Sequence, residues 1–398
     1  MSKNGTAGLL RTINRAAILE YLRDNSPVSR SGIAKKLNIS LPTIMRIIDD
    51  LIEEKLVCET GLKETSKGRP APLIEFNGVG FAIIGVDLGG TKIYGTVADM
   101  SGNVQYSLYR THEENETIVG ENYLEGLCHF IQQLLDAPRP EGQKIRGIGI
   151  GAPAVTLVPE GIVTWAPSLN WRDLPLQDIL TERFDLPVIV DNDVNLAALG
   201  EWGFGSGKNS SSMVMMTLGT GIGAGIIIDG EILRGHNQAA GEIGYMLPSI
   251  QLLGHRYDGF GALEMMASGS GIADRAKMLL DHEGIPHPDE RLDARYVFAQ
   301  AELGVEWANQ VLVETIDYLA LAIVNISTVL DPELIVLGGG VTNSAQSLIE
   351  SIRKRIEGVT PFVPEMKLTQ LGREAAVMGA IMQVMKATDE YVVIKQLG

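Results

Sequence analysis

Hydrophobic residues in the first part of the chain recur every three to four positions, a spacing that predicts three short helices. The apolar face of the first helix starts at Ile13, and residues 24–27, which include a proline, break that helix. The second helix begins at Ser29 or at Ser31, since either hydroxyl is able to cap it. A third helix follows after a three-residue turn.

This third helix begins at Ser40, with Pro42 just inside it, and its apolar stripe runs from Ile44 to Ile52. Two helices joined by a short turn form the motif whose second helix enters the DNA major groove. Side chains opposite the apolar stripe are therefore candidate contacts to bases and phosphates: Ser40, Leu41, Thr43, Met45 and Arg46.

Two short strands, residues 56–59 and 73–76, flank a polar loop and predict a wing. The tip of the wing holds Lys67 and Arg69, and an arginine in this place suits a DNA minor groove. The alternative is a helical bundle used for protein contacts. The turn spacing, the Ser-x-Pro helix start and the basic Gly-Arg-Pro tip together favour DNA binding.

After Gly78 strands alternate with helices, and three glycine-rich turns follow buried strands. The first turn leads directly into another strand, whereas a Walker loop and a dinucleotide fingerprint both lead into a helix. Glycines let backbone N–H groups approach phosphate oxygens, and a carboxylate is able to hold Mg²⁺ or its water. The candidate ATP and magnesium residues are Asp87, Gly89, Gly90, Thr91 and Lys92 in the first turn, Gly219, Thr220 and Gly221 in the second, and Gly338, Gly339 and Gly340 in the third.

The first two turns each lie between two strands, and this repetition predicts a duplicated, two-lobed α/β architecture. Between them, the buried strand at residues 187–190 runs into Asp191, Asn192 and Asp193. Polar residues at the carboxyl end of a strand are where α/β folds place active sites. A carboxylate there is able to accept a proton from a hydroxyl during phosphoryl transfer. The alternative role for Asp191 or Asn192 is to cap the following helix.

The charge of the chain is divided unevenly along its 398 residues. Residues 1–80 hold 12 Lys/Arg and 9 Asp/Glu, a balance of +3, whereas the remaining residues hold 21 and 40, a balance of −19. Only the first segment is therefore able to approach a polyanion without long-range repulsion. An apolar fraction of 45% indicates globular domains, and charge, glycine or proline interrupts each apolar run, so no membrane insertion is expected. With two cysteines and no signal-peptide pattern, a cytoplasmic location is expected.

Several spaced motifs resemble the ROK family of bacterial sugar repressors and sugar kinases, and the resemblance covers nearly the whole chain. The helix-turn-helix with Gly68-Arg-Pro70 is similar to the DNA-binding portion of the repressor branch. The motifs in the larger part are Asp87-Leu-Gly-Gly-Thr-Lys, Asp191-Asn-Asp-Val-Asn, Leu218-Gly-Thr-Gly-Ile-Gly, Gly241-Glu-Ile-Gly, Leu263-Glu264 and Leu337-Gly-Gly-Gly.

This resemblance implies an actin-like ATPase fold, also described as ribonuclease H-like, preceded by a winged helix-turn-helix domain. The implied divisions are residues 1–78 for the DNA-binding domain, 79–195 for the N-terminal lobe and 196–398 for the C-terminal lobe. The last helix is expected to pack back on the N-terminal lobe.

By the same resemblance Asp193 is the catalytic base, and a sugar lies against the residues around it. The sugar-binding residues so implied are Gly151, Ala152, Pro153, Asn170, Asn192, Asp193, Glu242, Tyr245 and Glu264, with Trp171 beside Asn170. Carboxylates and amides suit this role because they accept or donate several hydrogen bonds to hydroxyls.

The sequence departs from the family at its zinc motif. Family members usually carry His in a Gly-Glu-x-Gly-His sequence, followed by three cysteines that bind structural zinc. Here Tyr245 replaces the His, and the cysteine positions fall on His255, Tyr257 and Ala262. One imidazole and two phenols do not make the usual tetrahedral site, so no zinc is expected.

We therefore expect a sugar-responsive transcriptional regulator that acts as a repressor of carbohydrate-utilisation genes. The alternative is an ATP-dependent hexose kinase, because the phosphate turns and Asp193 persist; a sugar-binding scaffold with neither activity is a weaker third interpretation. The expected partners are a double-stranded DNA operator and a small sugar effector, with ATP and Mg²⁺ as possible cofactors. Since helix-turn-helix proteins read paired half-sites, a homodimer or a dimer of dimers is expected. The long apolar helix near residues 311–330 is a candidate dimer surface, with core packing as its alternative role.

Overall fold

The computed structural model describes residues 3–63, 71–90, 92–111, 123–257, 261–288, 291–342 and 346–388. Three of the residues singled out from the sequence, Lys67, Arg69 and Thr91, lie outside these ranges.

The N-terminal segment is a winged helix-turn-helix. Its helices are α1 (Lys3–Asn25), α2 (Arg30–Leu37) and α3 (Leu41–Glu53), and its strands are β1 (Val28–Ser29), β2 (Val57–Lys63) and β3 (Ala71–Phe76). The strands form an antiparallel sheet in the order β1-β3-β2. Ser29 caps α2 by accepting from the Gly32 backbone at 3.3 Å, which decides between the two predicted caps. Ile33, Ile44, Ile48 and Leu51 are fully buried between the helices.

The N-terminal lobe is built on a five-stranded sheet. Its elements are β4 (Phe81–Leu88), β5 (Lys92–Asp99), β6 (Val104–Thr111), α4 (Tyr123–Leu135), β7 (Lys144–Ala152), β8 (Val155–Leu157), β9 (Ile162–Ala166), β10 (Trp171–Leu174), α5 (Leu176–Phe184) and β11 (Val188–Asn192). The sheet has the order β11-β7-β4-β5-β6, and β8, β9 and β10 form a small separate sheet. Helix α6 (Asp193–Phe204) then leads into the C-terminal lobe.

The C-terminal lobe repeats this plan. Its strands are β12 (Ser212–Leu218), β13 (Ile222–Ile228), β14 (Glu231–Ile232), β15 (Leu334–Gly338) and β16 (Glu365–Leu368), in the order β14-β13-β12-β15-β16. Its helices are α7 (Ala262–Ala267), α8 (Gly269–Glu283), α9 (Ala294–Glu302), α10 (Glu306–Leu330), α11 (Gln346–Ile356) and α12 (Ala375–Thr388).

Both five-stranded sheets consist of a three-stranded antiparallel meander followed by two parallel strands. The duplicated, two-lobed α/β architecture predicted from the repeated glycine turns is thus confirmed. When the two strand orders are matched position by position, β4 corresponds to β12, and the turn after Asp87 corresponds to the turn after Thr217.

The last helix among the described residues, α12, lies against the N-terminal lobe although it follows the C-terminal lobe in the chain. A Cβ added to Gly149 of β7 would lie 2.4 Å from the Ala380 carbonyl oxygen, and one on Gly85 of β4 would lie 2.4 Å from that of Val377. Two glycines in these strands therefore let the helix backbone approach the sheet. Val377 and Ile381 of α12 also join the apolar cluster that contains the core of the winged domain.

Helix α10 is the one helix among the described residues that is long and apolar enough to cross a membrane. The expectation from the sequence was that no apolar run reaches this length. Half of its most apolar stretch is nevertheless buried inside the protein, and Leu319 and Ile323 are fully buried in the core of the C-terminal lobe. Core packing, the alternative role considered for this helix, is what the fold shows.

Candidate functional site

The first candidate site is the exposed face of α3. The Ser40 hydroxyl accepts from the Thr43 backbone at 3.4 Å and lies 2.8 Å from the Thr43 hydroxyl, which fixes the start of the helix. Leu41 and Met45 on this face are 44% and 48% exposed, so both side chains are accessible to a partner. Arg46 is also exposed and makes no ion pair with another described residue. These five predicted side chains therefore share one accessible surface.

Arginines from other elements pair with two acidic side chains of α3, Asp49 and Asp50. Arg30 donates to Asp49 at 2.9 Å and to Glu59 of β2 at 2.7 Å, and Arg11 of α1 donates to Asp50 at 2.7 Å. Unpaired, these carboxylates would repel a polyanion close to the recognition face. The sequence did not indicate this arrangement, because each pair joins residues far apart in the chain.

The second candidate site lies where β11 passes into α6. Asn192 caps α6 by accepting from the Asn195 backbone at 2.9 Å, so the capping alternative applies to Asn192. Its amide nitrogen donates to the Ala154 carbonyl and to Asp193 Oδ1, both at 3.2 Å. Asp193 also accepts from the Val194 backbone at 2.9 Å. The carboxylate is thus held in one orientation at the carboxyl end of the sheet.

Four acidic side chains influence one another across this region. Burial, and then the charge of Asp87, raise the pKa of Asp193 to about 8. Burial raises the pKa of Asp87 to about 6, against a smaller opposing effect of Lys92. Burial and the charge of Glu264 raise the pKa of Glu242. Since Glu242 in turn raises the pKa of Asp193, the acids predicted from distant motifs lie within electrostatic range of one another.

The first glycine turn, which follows Asp87, is tightly covered. The Gly89 backbone donates to the Lys92 carbonyl at 2.9 Å, and the Tyr123 hydroxyl donates to the Gly89 carbonyl at 3.2 Å. A Cβ on Gly90 would lie 2.8 Å from the Ser168 Cβ. Tyr123 and Ser168 were not singled out from the sequence, because nothing local marks side chains that reach the turn from other elements.

The second glycine turn is more open. A Cβ on Gly219 would have no neighbour closer than 4.0 Å, and Ser270 donates to the Thr220 carbonyl at 2.6 Å. A Cβ on Gly221 would lie 1.9 Å from Glu264 Oε1, which accepts from the Ile222 backbone at 3.0 Å. Glu264 therefore lies against the second glycine turn and within electrostatic range of Glu242.

In the third turn a Cβ on Gly340 would meet nothing within 4 Å, whereas Gly339 has a φ of +95° and lies against the Leu218 backbone. Open backbone at Gly219 and Gly340 fits the approach of a nucleotide. Gly338 and Gly339 instead serve close packing, since a Cβ on Gly338 would lie 2.5 Å from the Met215 methyl group. The fit to ATP thus rests on two of the glycines in these turns.

Of the other residues implied to contact sugar, Gly151 and Ala152 lie beside Asp193 and Asn192. A Cβ on Gly151 would lie 3.3 Å from the Asp193 Cα, and Ala152 pairs with Asn192 between neighbouring strands. Pro153 follows directly. Asn170 is exposed with a φ of +55°, next to Trp171, whose ring packs edge-on against Tyr123 with centroids 5.2 Å apart.

The four residues at the altered zinc motif do not resemble a metal site. Tyr245 is 57% exposed, His255 is exposed, Tyr257 is partly buried, and Ala262 is buried at the start of α7. Within the part of the chain that the structure describes, no group of three His, Cys, Asp or Glu residues is placed to hold a metal ion. That zinc is absent from the protein stays a prediction.

A winged helix-turn-helix joined to a two-lobed sugar-kinase-like domain defines the class of sugar-responsive, DNA-binding transcriptional regulators. Residues 83–387 match the ROK family and residues 11–57 match a winged helix-turn-helix DNA-binding domain. The chain therefore belongs to the ROK family, as its motifs predicted.

The proteins similar to this chain include transcriptional regulators and sugar kinases. The xylose repressor of Caldicellulosiruptor bescii is 29% identical over 392 residues, covering 96% of this chain and 97% of that protein. A crystal structure of a ROK family transcriptional regulator, a homologue of the E. coli MLC protein, has a TM-score of 0.80 at 24% identity, covering 97% of this chain and 99% of that one, and shows the shared fold. A ROK glucokinase from Streptomyces griseus, solved with glucose and AMPPNP, has a TM-score of 0.62 at 28% identity, covering 76% of this chain and 98% of that one.

Proposed function

We propose that this sugar-responsive DNA-binding repressor binds a monosaccharide at the side chains around Asp193. The bound sugar changes the affinity of the protein for an operator. The observation that carries the proposal is the group of side chains around Asp193, where Asp193, Glu242 and Glu264 present carboxylate acceptors from both lobes and Asn192 fixes the orientation of Asp193. Such groups recognise the hydroxyls of a sugar and discriminate their stereochemistry. A ligand shifts the DNA-binding state only through a different affinity for the two states.

The sugar is proposed to be an aldopyranose. The xylose repressor similar to this chain and the glucokinase solved with glucose name a pentose and a hexose that share this ring. Thermal-shift measurements with D-xylose and D-glucose, each with and without ATP and Mg²⁺, are the direct test, because a ligand that binds only the folded state raises its stability. If neither sugar changes the melting temperature or the binding of upstream DNA, this proposal fails.

The operator is proposed to be read by the face of α3, with Arg46 contacting a base or a phosphate. We expect Arg46→Ala to weaken binding to the upstream DNA of its own gene by about 1–3 kcal/mol, as loss of a base contact does. Exposed Arg373 in the C-terminal lobe offers a matched control, and Arg373→Ala should leave the affinity unchanged in fluorescence anisotropy titrations. Equal binding by both variants and the wild type would contradict this assignment.

Lys67 and Arg69 are proposed as further DNA contacts through the wing. The protein is also proposed to act as a dimer, or a dimer of dimers, because helix-turn-helix proteins read operator half-sites in pairs. Its proposed location is the cytoplasm. Light scattering at micromolar concentration should give at least twice the mass of 43.0 kDa that one chain has. A monomeric mass would contradict the paired mode of DNA recognition.

A second candidate activity, ATP-dependent phosphorylation of the same sugar, is favoured by Asp193. A carboxylate whose pKa is raised to about 8 is, once ionised, a stronger base than an ordinary aspartate, and this pKa lies close to the working pH of a general base. Asp87 and Lys92 would hold Mg²⁺ and phosphate, Thr91 would add its hydroxyl, and Gly219, Thr220 and Gly340 would lie along the nucleotide; ATP would supply the transferable phosphoryl group. Sugar-dependent ADP formation that Asp193→Ala abolishes would establish this activity, and ADP formation that the variant retains would exclude Asp193 as its base.

A further inference from the structure

An ion pair between the lobes lies immediately behind the proposed sugar site. Asp191 ends β11 in the N-terminal lobe and is 1% exposed. Arg234 follows β14 in the C-terminal lobe, and its guanidinium binds both carboxylate oxygens, with Nη1–Oδ1 at 2.8 Å and Nη2–Oδ2 at 2.6 Å. This two-point geometry fixes both distance and orientation, which a single lysine ammonium does not do.

On the N-terminal side, the pair is continuous with the residues proposed to bind sugar. Asp191 Oδ1 also accepts from the Asn192 backbone at 2.8 Å. Asn192 in turn donates through its amide to Asp193. A displacement of the Asp191 carboxylate would therefore shift the positions of Asn192 and Asp193 through consecutive hydrogen bonds.

On the C-terminal side, the backbone of Arg234 anchors the loop that carries Glu242. The Arg234 carbonyl accepts from the Ala240 backbone at 2.9 Å, and the Gly241 carbonyl accepts from the Ala224 backbone at 2.8 Å. A Cβ on Gly241 would lie 1.9 Å from the Ala224 carbonyl oxygen, so this close contact to β13 requires glycine. Glu242 follows directly and is thus held relative to Arg234.

We propose that Arg234 is a positioning residue that sets sugar affinity by holding Glu242 of one lobe in register with Asn192 and Asp193 of the other. The proposal rests on the proposed function, because it concerns the same sugar. Arg234 does not itself touch the sugar in this scheme. Desolvation offsets much of the attraction in a buried ion pair, whereas the two-point contact fixes the orientation of the groups that it joins.

The test is a sugar titration, followed by the quenching of tryptophan fluorescence, with D-xylose and D-glucose on the full-length protein. Arg234→Lys keeps the charge but loses the two-point contact, and we expect at least a tenfold weaker sugar affinity. Operator affinity of the sugar-free variant should stay within threefold of the wild type, which a general loss of structure would not allow. The matched control is Glu231→Gln, which breaks the 2.9 Å pair between Glu231 and Lys386 three residues away and should leave sugar affinity unchanged.

Wild-type sugar affinity in Arg234→Lys would overturn the positioning role while leaving the proposed function intact. So would an equal loss of sugar affinity in Glu231→Gln, because the effect would then be structural. If Arg234→Lys fails to fold, Asp191→Asn, which keeps the shape of the side chain, decides by the same criterion of tenfold loss or none. A wild-type protein that binds neither sugar removes the proposed function itself, and the inference with it.

Discussion

The two lobes share one strand order but differ at the residue that precedes their glycine turns. In the N-terminal lobe this residue is Asp87, whose charge raises the pKa of Asp193. In the C-terminal lobe it is Thr217, whose hydroxyl donates to the Gly223 carbonyl at 3.4 Å. The duplicated scaffold therefore sets where a turn lies, and the residue at its start decides whether the turn carries a charge.

The glycines of the two lobes differ in the same way. Gly85 and Gly149 of the N-terminal sheet lie against the backbone of α12, where no side chain fits. Gly219 and Gly340 of the C-terminal lobe face open space. These four glycines thus serve two uses, packing against α12 and open access at a turn, and substitutions should separate the two uses.

The largest effect is expected from Gly149→Val. The new side chain would overlap the Ala380 backbone, whose carbonyl oxygen and carbon lie 2.4 and 2.7 Å from the ideal Cβ position. Because neither backbone is free to move far, we expect a loss of about 3 kcal/mol in the free energy of unfolding. Urea denaturation followed by circular dichroism measures it.

The control for this comparison is Gly340→Ala, which places a methyl group where nothing lies within 4 Å. Its free energy of unfolding should stay within about 0.5 kcal/mol of the wild type. Equal midpoints for Gly149→Val and Gly340→Ala would show that α12 does not pack tightly on the N-terminal sheet.

A smaller effect is expected from Asp193→Asn, and it depends on pH. The folded-state pKa of about 8 lies above the ordinary value of 3.8, so the folded protein keeps a proton that the unfolded chain loses in this window. Stability should therefore fall as the pH rises from about 4 to about 8. We expect the wild type to lose about 2 kcal/mol more than Asp193→Asn between pH 6.5 and pH 8.5.

Melting temperatures across this pH range provide the measurement. Asp185 is exposed beyond the end of α5, and Asp185→Asn serves as the matched control that should keep the wild-type pH dependence. A pH dependence that Asp193→Asn leaves unchanged would mean that the Asp193 carboxyl is more solvated than its burial in the structure indicates.

Local signals in the sequence predicted much of this arrangement. Ser40 with Pro42 marked the start of α3, and the strand followed by Asp191-Asn-Asp193 marked the carboxyl end of a sheet; both lie where expected. Helix caps and strand ends are set by neighbouring residues, which is why a single sequence reveals them.

The contacts that order the site were not predictable in this way. Arg234 and Asp191 are 43 positions apart. From the sequence alone, an arginine at the end of a short strand is expected to be a solvated surface residue, because its partner is distant in the chain. The same holds for Ser168 against Gly90. Such pairs depend on how the lobes and the small sheet meet, and no local pattern encodes that geometry.

The smallest effect is expected from substituting, one at a time, the two residues that precede the glycine turns. Asp87→Asn removes a charge that raises the pKa of Asp193, so that pKa should fall. Thr217→Val at the corresponding place removes a single hydroxyl and should cost about 0.5–1 kcal/mol of stability without moving the pKa. Titration of the Asp193 carboxyl carbon by NMR in both variants checks this. If both substitutions shift the Asp193 pKa alike, the charge at the start of the turn is not what distinguishes the lobes; if only Asp87→Asn does, the difference between the lobes lies in that one carboxylate.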